Sequence, residues 1–324
     1  MVEPGFRKGI AAAAGGVPAV QVIPGTGGNW LTAALRSALP ASSPAVVQPL
    51  VDAAVVTGLA YGTYTSYAVV TMAAGQRVLT VRLLVNAVAV TRVVDSAGYQ
   101  ARGIAPEALL TVFGINEATK TVDSSSAPQT ALGGTSVSIT DGAGVARVAR
   151  LLYASPGQVN LLAPAGMASG AGTLTIVNGA NQQATQVVAI GAVAPGLFTA
   201  EMSGQGVAAA VVQRVAADGT QSSAAAASCG VGGVCAAVPI DVTGGQTYLS
   251  LYGTGIRGRP ALSQVVVTVG GVAAPVLYGG DQVQYAGVDQ INVQLPASLA
   301  GRGDVSVVAT VDGVAANVVR ITVR

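Results

Sequence analysis

Residues 153–160 read Tyr153-Ala154-Ser155-Pro156-Gly157-Gln158-Val159-Asn160, and residues 285–292 read Tyr285-Ala286-Gly287-Val288-Asp289-Gln290-Ile291-Asn292. Pro164-Ala165 and Pro296-Ala297 follow in the same register. Upstream, Leu109-Leu110-Thr111-Val112-Phe113-Gly114 matches Tyr248-Leu249-Ser250-Leu251-Tyr252-Gly253, and downstream Asn178-Gly179 matches Asp312-Gly313. Leu151-Leu152-Tyr153 also resembles Val276-Leu277-Tyr278, but in a shifted register. Self-similarity at this scale marks a duplicated structural unit. Residues 104–190 and 238–324 therefore read as two copies of one module. Each has about 85 residues and six or seven strands, the size of an immunoglobulin-like sandwich.

The module is β by its local chemistry. Val, Thr, Ile and Tyr recur in runs of four to eight, divided by Gly, Pro, Asn-Gly or Asp-Gly. Thr135 to Thr140 precedes Asp141-Gly142, Thr173 to Val177 precedes Asn178-Gly179, and Val305 to Val311 precedes Asp312-Gly313. Each dipeptide supplies the positive φ that a tight hairpin needs. A third β pattern lies upstream. Leu59 to Thr65 leads into Tyr67 to Met72, Gly75 turns the chain, and Val78 to Val85 returns as a strand. One helix is expected, over Trp30 to Leu39, ended by Pro40.

The expected organisation is all-β, three tandem immunoglobulin-like β-sandwich modules. Residues 1–88 form the first, which looks short of leading strands, and 89–103 form a linker. The first repeat is 104–190. A connector over 191–237 carries a hairpin (Val207 to Val215 as one arm, Asp218-Gly219 at the turn) and an Ala-rich surface loop, Ser222 to Ser228. The second repeat is 238–324. A chain of 324 residues accommodates this, at about two domains or three small ones.

Composition removes several functions. There is no histidine, so Ser-His-Asp and Cys-His catalysis, imidazole metal sites and a histidine pH switch are excluded. A net charge of +2 without a basic cluster argues against nucleic acid. Only 9 % of residues are charged against 51 % hydrophobic, the reverse of a disordered chain. The mean hydropathy of +0.58 raises the question of a membrane. However, Val187 to Ala200 is broken by Gly191, Pro195 and Gly196, and Val55 to Met72 by Gly58, Gly62 and a polar run, so neither gives the roughly 20 apolar residues of a spanning helix. Arg7 and Lys8 before Ile10 to Val20 imitate a signal peptide, though Gly15, Gly16 and Pro18 interrupt it and the segment also reads as a first strand.

Cys229 and Cys235 are the two cysteines, with Gly230 to Val234 between them. Zinc would need two further ligands, and C-x-x-C redox chemistry has another spacing. A local disulfide is expected, hence an oxidising compartment, with two free thiols as the alternative.

Ser155-Pro156-Gly157-Gln158-Val159-Asn160, Ala194-Pro195-Gly196-Leu197-Phe198, Tyr252-Gly253-Thr254-Gly255-Ile256-Arg257, Asp289-Gln290-Ile291-Asn292-Val293 and Leu295-Pro296 before Leu299-Ala300-Gly301-Arg302-Gly303 form an ordered set. With it, residues 104–324 resemble the uncharacterised C-terminal domain family of secreted proteins from Solibacter-type acidobacteria. Residues 20–86 are similar to the tail half of a BACON-type or related bacterial immunoglobulin-like repeat, through Trp30-Leu31, Gly58-Leu59, Gly62-Thr63-Tyr64 and the Val78 to Val85 strand. The resemblance implies β-sandwich modules at an extracellular or cell-surface location; it supplies no accepted function and no catalytic residues, and no cofactor is expected.

Few residues suggest chemistry. Trp30, Tyr61, Tyr64 and Tyr67 could present an aromatic platform to a polysaccharide, or pack a small core. Arg257 and Arg259 could hold a carboxylate or sugar acid, or belong to a solvated loop or an inter-domain ion pair. Arg302-Gly303-Asp304 spells an adhesion tripeptide or an ordinary turn. Neither a calcium pattern nor a convincing carboxylate pair stands out. Lys8 and Lys120 have no partner motif for an isopeptide bond. The expected function is non-enzymatic and structural: a subunit of a cell-surface or filamentous assembly, a homo-oligomer or homopolymer joined by strand donation from residues 1–22. A carbohydrate-binding or adhesion module of a larger secreted protein is the alternative.

Overall fold

The computed structural model describes residues 9–10, 19–36, 45–56, 59, 62–72, 75–85, 87–124 and 127–324. The chain divides into two compact units, 1–87 and 88–324. Both are built of antiparallel sheets, the all-β class that the strand and turn chemistry predicts.

In the first unit the strands are β1 (Gly9–Ile10), β2 (Ala19–Ile23), β3 (Leu31–Arg36), β4 (Ala45–Val51), β5 (Gly62–Met72) and β6 (Gly75–Val85). They form two three-stranded sheets, β1-β4-β3 and β2-β5-β6. Trp30 and Leu31 bury against Leu83 and Val85 in the core. Two expectations fail here. The segment expected as a helix after Trp30 is β3; residues 37–39 lie outside the described residues. Leu31, Ala33 and Leu35 are more buried than Thr32 and Ala34, so the two-residue alternation prevails over the helix propensity of Ala and Leu. The leading strands are present as well. β1 pairs with β4 and β2 with β5, so these described parts of the segment expected as a donated strand pair inside their own unit; residues 1–8 and 11–18 lie outside the described residues.

The second unit contains two sandwiches. The first uses β7 (Ala89–Asp95), β8 (Leu109–Ile115), β9 (Val122–Asp123), β10 (Ser136–Thr140), β11 (Ala146–Val148), β12 (Arg150–Ser155), β13 (Gln158–Leu162), β14 (Gly170–Val177) and β15 (Gln183–Ile190). Sheet order is β7-β8-β13-β12-β9 facing β11-β10-β14-β15. The second uses β16 (Gly196–Leu197), β17 (Ala210–Ala216), β18 (Gln221–Ala225), β19 (Ala227–Cys229), β20 (Cys235–Ala237), β21 (Gly245–Thr254), β22 (Val265–Val269), β23 (Val272–Ala274), β24 (Val276–Asp281), β25 (Asp289–Leu295), β26 (Gly303–Val311), β27 (Val314–Ala315) and β28 (Val319–Val323). One sheet runs β18-β17-β21-β25-β24, with β16 also on β21. The other runs β23-β22-β26, with β27 and β28 both on β26. The turns at Asp141-Gly142, Asn178-Gly179 and Asp312-Gly313 close hairpins as expected, but only Asp312 and Gly313 themselves have positive φ (48° and 78°); in the other two loops it falls later, at Gly144 (79°) and Asn181 (58°).

Superposing the ladders shows the duplication in full. β7-β8-β13-β12 corresponds to β17-β21-β25-β24. Gln158 faces Phe113 as Gln290 faces Tyr252, and Asn160 faces Thr111 as Asn292 faces Ser250. The side-chain bond from Gln158 Nε2 to Asn160 Oδ1 (2.8 Å) recurs from Gln290 to Asn292 (2.7 Å). The match of Tyr153 to Tyr285 is corrected. A bulge at Leu152 places Tyr153 opposite Asn160, and a bulge at Leu277 places Tyr278 opposite Asn292. Tyr278 is thus the structural equivalent, and residues 282–288 lengthen the second hairpin where Pro156-Gly157 closes the first.

The linker and connector are corrected too. Residues 89–103 supply β7, the outer strand beside β8. Residues 191–237 supply the matching β16 and β17. In the first repeat this strand is continuous through a bulge between Val90 and Arg92. In the second, residues 199–208 leave the sheet at that point and return: Phe198 N bonds Tyr252 O at 2.9 Å and Ala209 N bonds Phe198 O at 2.9 Å. The inserted excursion hides the likeness from a sequence comparison. Ser222 to Ser228, expected as a loop, is strand in β18 and β19.

Candidate functional site

Arg257 and Asp289 meet where the two sandwiches of the second unit adjoin. Asp289 starts β25 and is fully buried. Its Oδ2 accepts from Ile256 N at 2.6 Å and Arg257 N at 3.2 Å, and its Oδ1 accepts from Arg257 Nε at 2.7 Å. Burial pushes the Asp289 carboxyl upward, while these donors pull it down. Arg257 also pairs with Asp281 at 3.0 Å and with Glu107 of the first sandwich at 3.6 Å, and donates to Val288 O at 3.0 Å. One guanidinium surrounded by three carboxylates and a carbonyl is an internal tie. Arg259 Nε donates to Gly279 O on β24. The ion-pair reading of this loop therefore describes Arg257, whereas Arg259 is held by a main-chain carbonyl instead.

The surrounding seam is made of close backbone approaches. Thr254 Oγ1 accepts from Leu109 N at 2.8 Å and donates to Gly287 O at 2.7 Å. Gly287 has φ +80°, and a Cβ there would lie 2.6 Å from Leu162 Cδ1. On another side Asn317 is buried; its Oδ1 accepts from Leu197 N at 2.7 Å and its Nδ2 donates to Leu197 O and Gly204 O, both at 2.9 Å. A Cβ on Gly98 would lie 2.5 Å from Asn317 Oδ1. Sequence reasoning missed Asn317; its only signal is one amide inside an apolar run.

The aromatic platform does not assemble. Trp30 is fully buried and its Nε1 donates to Thr26 O at 2.9 Å. Tyr64 packs on the same core, while Tyr67 is 38 % exposed. Tyr61 lies outside the described residues. A sugar platform needs exposed, aligned ring faces, and the buried Trp30 cannot supply one. Asp304 sits in β26 and accepts from Arg320 Nε at 2.8 Å, so the adhesion tripeptide lies at a paired strand start.

Cys229 and Cys235 are disulfide-bonded, directly opposite each other in the β19–β20 hairpin. Its tip is open to solvent: Val234 is 76 % exposed and Val231 fully exposed. A second missed residue is Glu117, wholly buried with neither carboxylate oxygen bonded, its pKa pushed up to about 8 by desolvation. Among the described residues no group of three His, Cys, Asp or Glu could hold a metal, and no helix is long and apolar enough to cross a membrane. A shallow groove of about 370 Å³, lined by residues such as Leu262, Val265, Ala274 and Val276, has no charged side chain to orient a ligand.

β18 is an open edge strand of the second unit. It is the outer strand of its sheet, its five residues Gln-Ser-Ser-Ala-Ala are all exposed, and it carries no charge. Comparison of the sequence with protein-family models and with curated proteins found no match, so the resemblance drawn above stands on its motifs alone.

Proposed function

We propose that the chain is a non-enzymatic extracellular building block, a subunit of a cell-surface or filamentous assembly made of β-sandwich modules. The observation that carries this reading is β18, an uncharged strand at a sheet edge with both faces exposed. Sheet edges are commonly guarded by charge, Pro, bulges or cover, because an open edge templates pairing with another chain. The disulfide supports an oxidising location. The 9 % charge supports surfaces that meet protein, since little else keeps such neutral surfaces apart. The carbohydrate alternative loses its platform with the burial of Trp30. Sedimentation velocity and electron microscopy of the purified chain over a concentration series test the proposal. Concentration-dependent association is expected; a monodisperse monomer throughout overturns it.

A further inference from the structure

The geometry points to the partner of this edge: the β18 strand of a second copy, paired antiparallel about a two-fold axis at Ser223. The inference rests on the assembly reading above and specifies its contact.

Register defines the free groups. Ala216 N bonds Thr220 O, and Ala226 N bonds Ala210 O, both at 2.9 Å. With Arg214 opposite Ser222 and Val212 opposite Ala224, the even-numbered residues of β18 turn their backbone groups to β17. The N–H and C=O of Gln221, Ser223 and Ala225 therefore point outward, and no described residue bonds them. A second β18 centred on Ser223 places Ser223 on Ser223, and Gln221 opposite Ala225, in both directions. The segment is complementary to itself, as a two-fold interface requires.

Charge permits the approach. No Asp, Glu, Lys or Arg occurs between Asp218 and Asp241. In this register Asp218 faces position 228 of the other copy, so the two Asp218 residues stand about 33 Å apart along the ribbon, beyond the Debye length of about 8 Å. The exposed Val231 and Val234 continue from the same strand and add apolar surface beside the contact.

Other edges of this unit are less available. On β24 the outward carbonyl of Gly279 takes Arg259 and that of Asp281 takes the Tyr278 hydroxyl at 2.5 Å. The edge of β12 is covered by β9. β15 is also uncharged, but Ile104 covers the end of its edge, donating to Ala189 O at 2.9 Å and accepting from Gly191 N at 3.0 Å, and the Gln186 amide donates to Val187 O at 3.2 Å.

The test uses the full chain. Ser223→Pro removes an outward N–H without touching a bond to β17, and should weaken self-association at least tenfold while far-UV circular dichroism stays unchanged. Ser223→Cys should give a disulfide-linked dimer under mild oxidation on non-reducing gels, because the two sulfurs face each other in a hydrogen-bonded pair with Cα atoms about 5.5 Å apart. Ser222→Cys, which would face Ala224, should not. If the chain associates but Ser223→Pro leaves it unaffected, or Ser222→Cys cross-links as well as Ser223→Cys, this contact is wrong while the assembly reading stands. A wild-type chain that never associates overturns both.

Discussion

Arg257 Nε donates to Asp289 Oδ1 at 2.7 Å, across a carboxylate fully removed from water. Removing one partner of a buried ion pair leaves an uncompensated charge and costs about 3 kcal/mol or more. Arg257→Ala is expected to lower the unfolding free energy of the second unit, read from urea denaturation, by that order. Arg320→Ala, which breaks a pair with Asp304 in which both side chains are about half exposed, should not shift it measurably. Equal effects for the two variants would show that the Arg257 network does not tie the sandwiches together.

Glycine at 287 is demanded twice, by φ +80° and by the 2.6 Å approach of Leu162, whereas Gly313 has φ +78° with open space around it. Gly313→Ala should cost about 1 kcal/mol of strain. Gly287→Ala should cost that plus about 1–3 kcal/mol of overpacking. Chemical denaturation of both variants separates the two contributions.

Glu117 makes stability depend on pH with an unusual sign. Its main chain is fixed, Glu117 N bonding Pro156 O at 3.1 Å, and its side chain lies against Gly114. Between the ordinary carboxyl range and about 8 the folded chain keeps a proton that the unfolded chain has released. Stability contributed by this group is therefore full below pH 4.5, falls as pH rises and levels off above about 8. Glu117→Gln removes the dependence, so its stability relative to wild type should rise across that window, by at most about 1.4 kcal/mol per pH unit. A flat difference between the two proteins from pH 5 to 8 would refute the buried protonated acid.

Trp30 is the only tryptophan and belongs to the first unit, whose core cluster, among the described residues, joins four buried side chains against the much larger clusters of the second. A smaller core gives less stability. Tryptophan fluorescence should report an unfolding transition at lower denaturant than far-UV circular dichroism, which follows both units. Coincident transitions would mean that the units unfold together.

Reduction of Cys229–Cys235 should change the melting temperature of the sandwiches little. The closed loop is short, and the hairpin tip is open to solvent. Faster proteolysis within residues 230–234 is the expected local effect.

The strands and turns were legible because they are local. Asp312-Gly313 announces its turn by residues that tolerate positive φ, and β14 announces itself by β-branched residues before Asn178-Gly179. The disulfide was legible by elimination. The extent of each repeat was not. β7 and β17 carry no shared motif, because residues 199–208 split the second copy, and only their pairing with β8 and β21 reveals them. Tyr153 was matched to Tyr285 because a lengthened hairpin happened to contain Tyr-Ala; the ladder, through two bulges, assigns Tyr278 instead. The aromatic group failed for a similar reason: sequence spacing cannot say which rings are enclosed, and Trp30 is.

By itself, then, the sequence determined the β class, the duplication, the disulfide and the shortage of charge, all of which follow from residue types and near-neighbour spacing. The tertiary structure decided which strands complete each sheet, that Arg257 is consumed by three carboxylates, that Glu117 is sealed without a partner, and that β18 is left open. Those depend on which distant backbone groups find one another, and hydrogen-bond satisfaction across a sheet is a property of the whole fold.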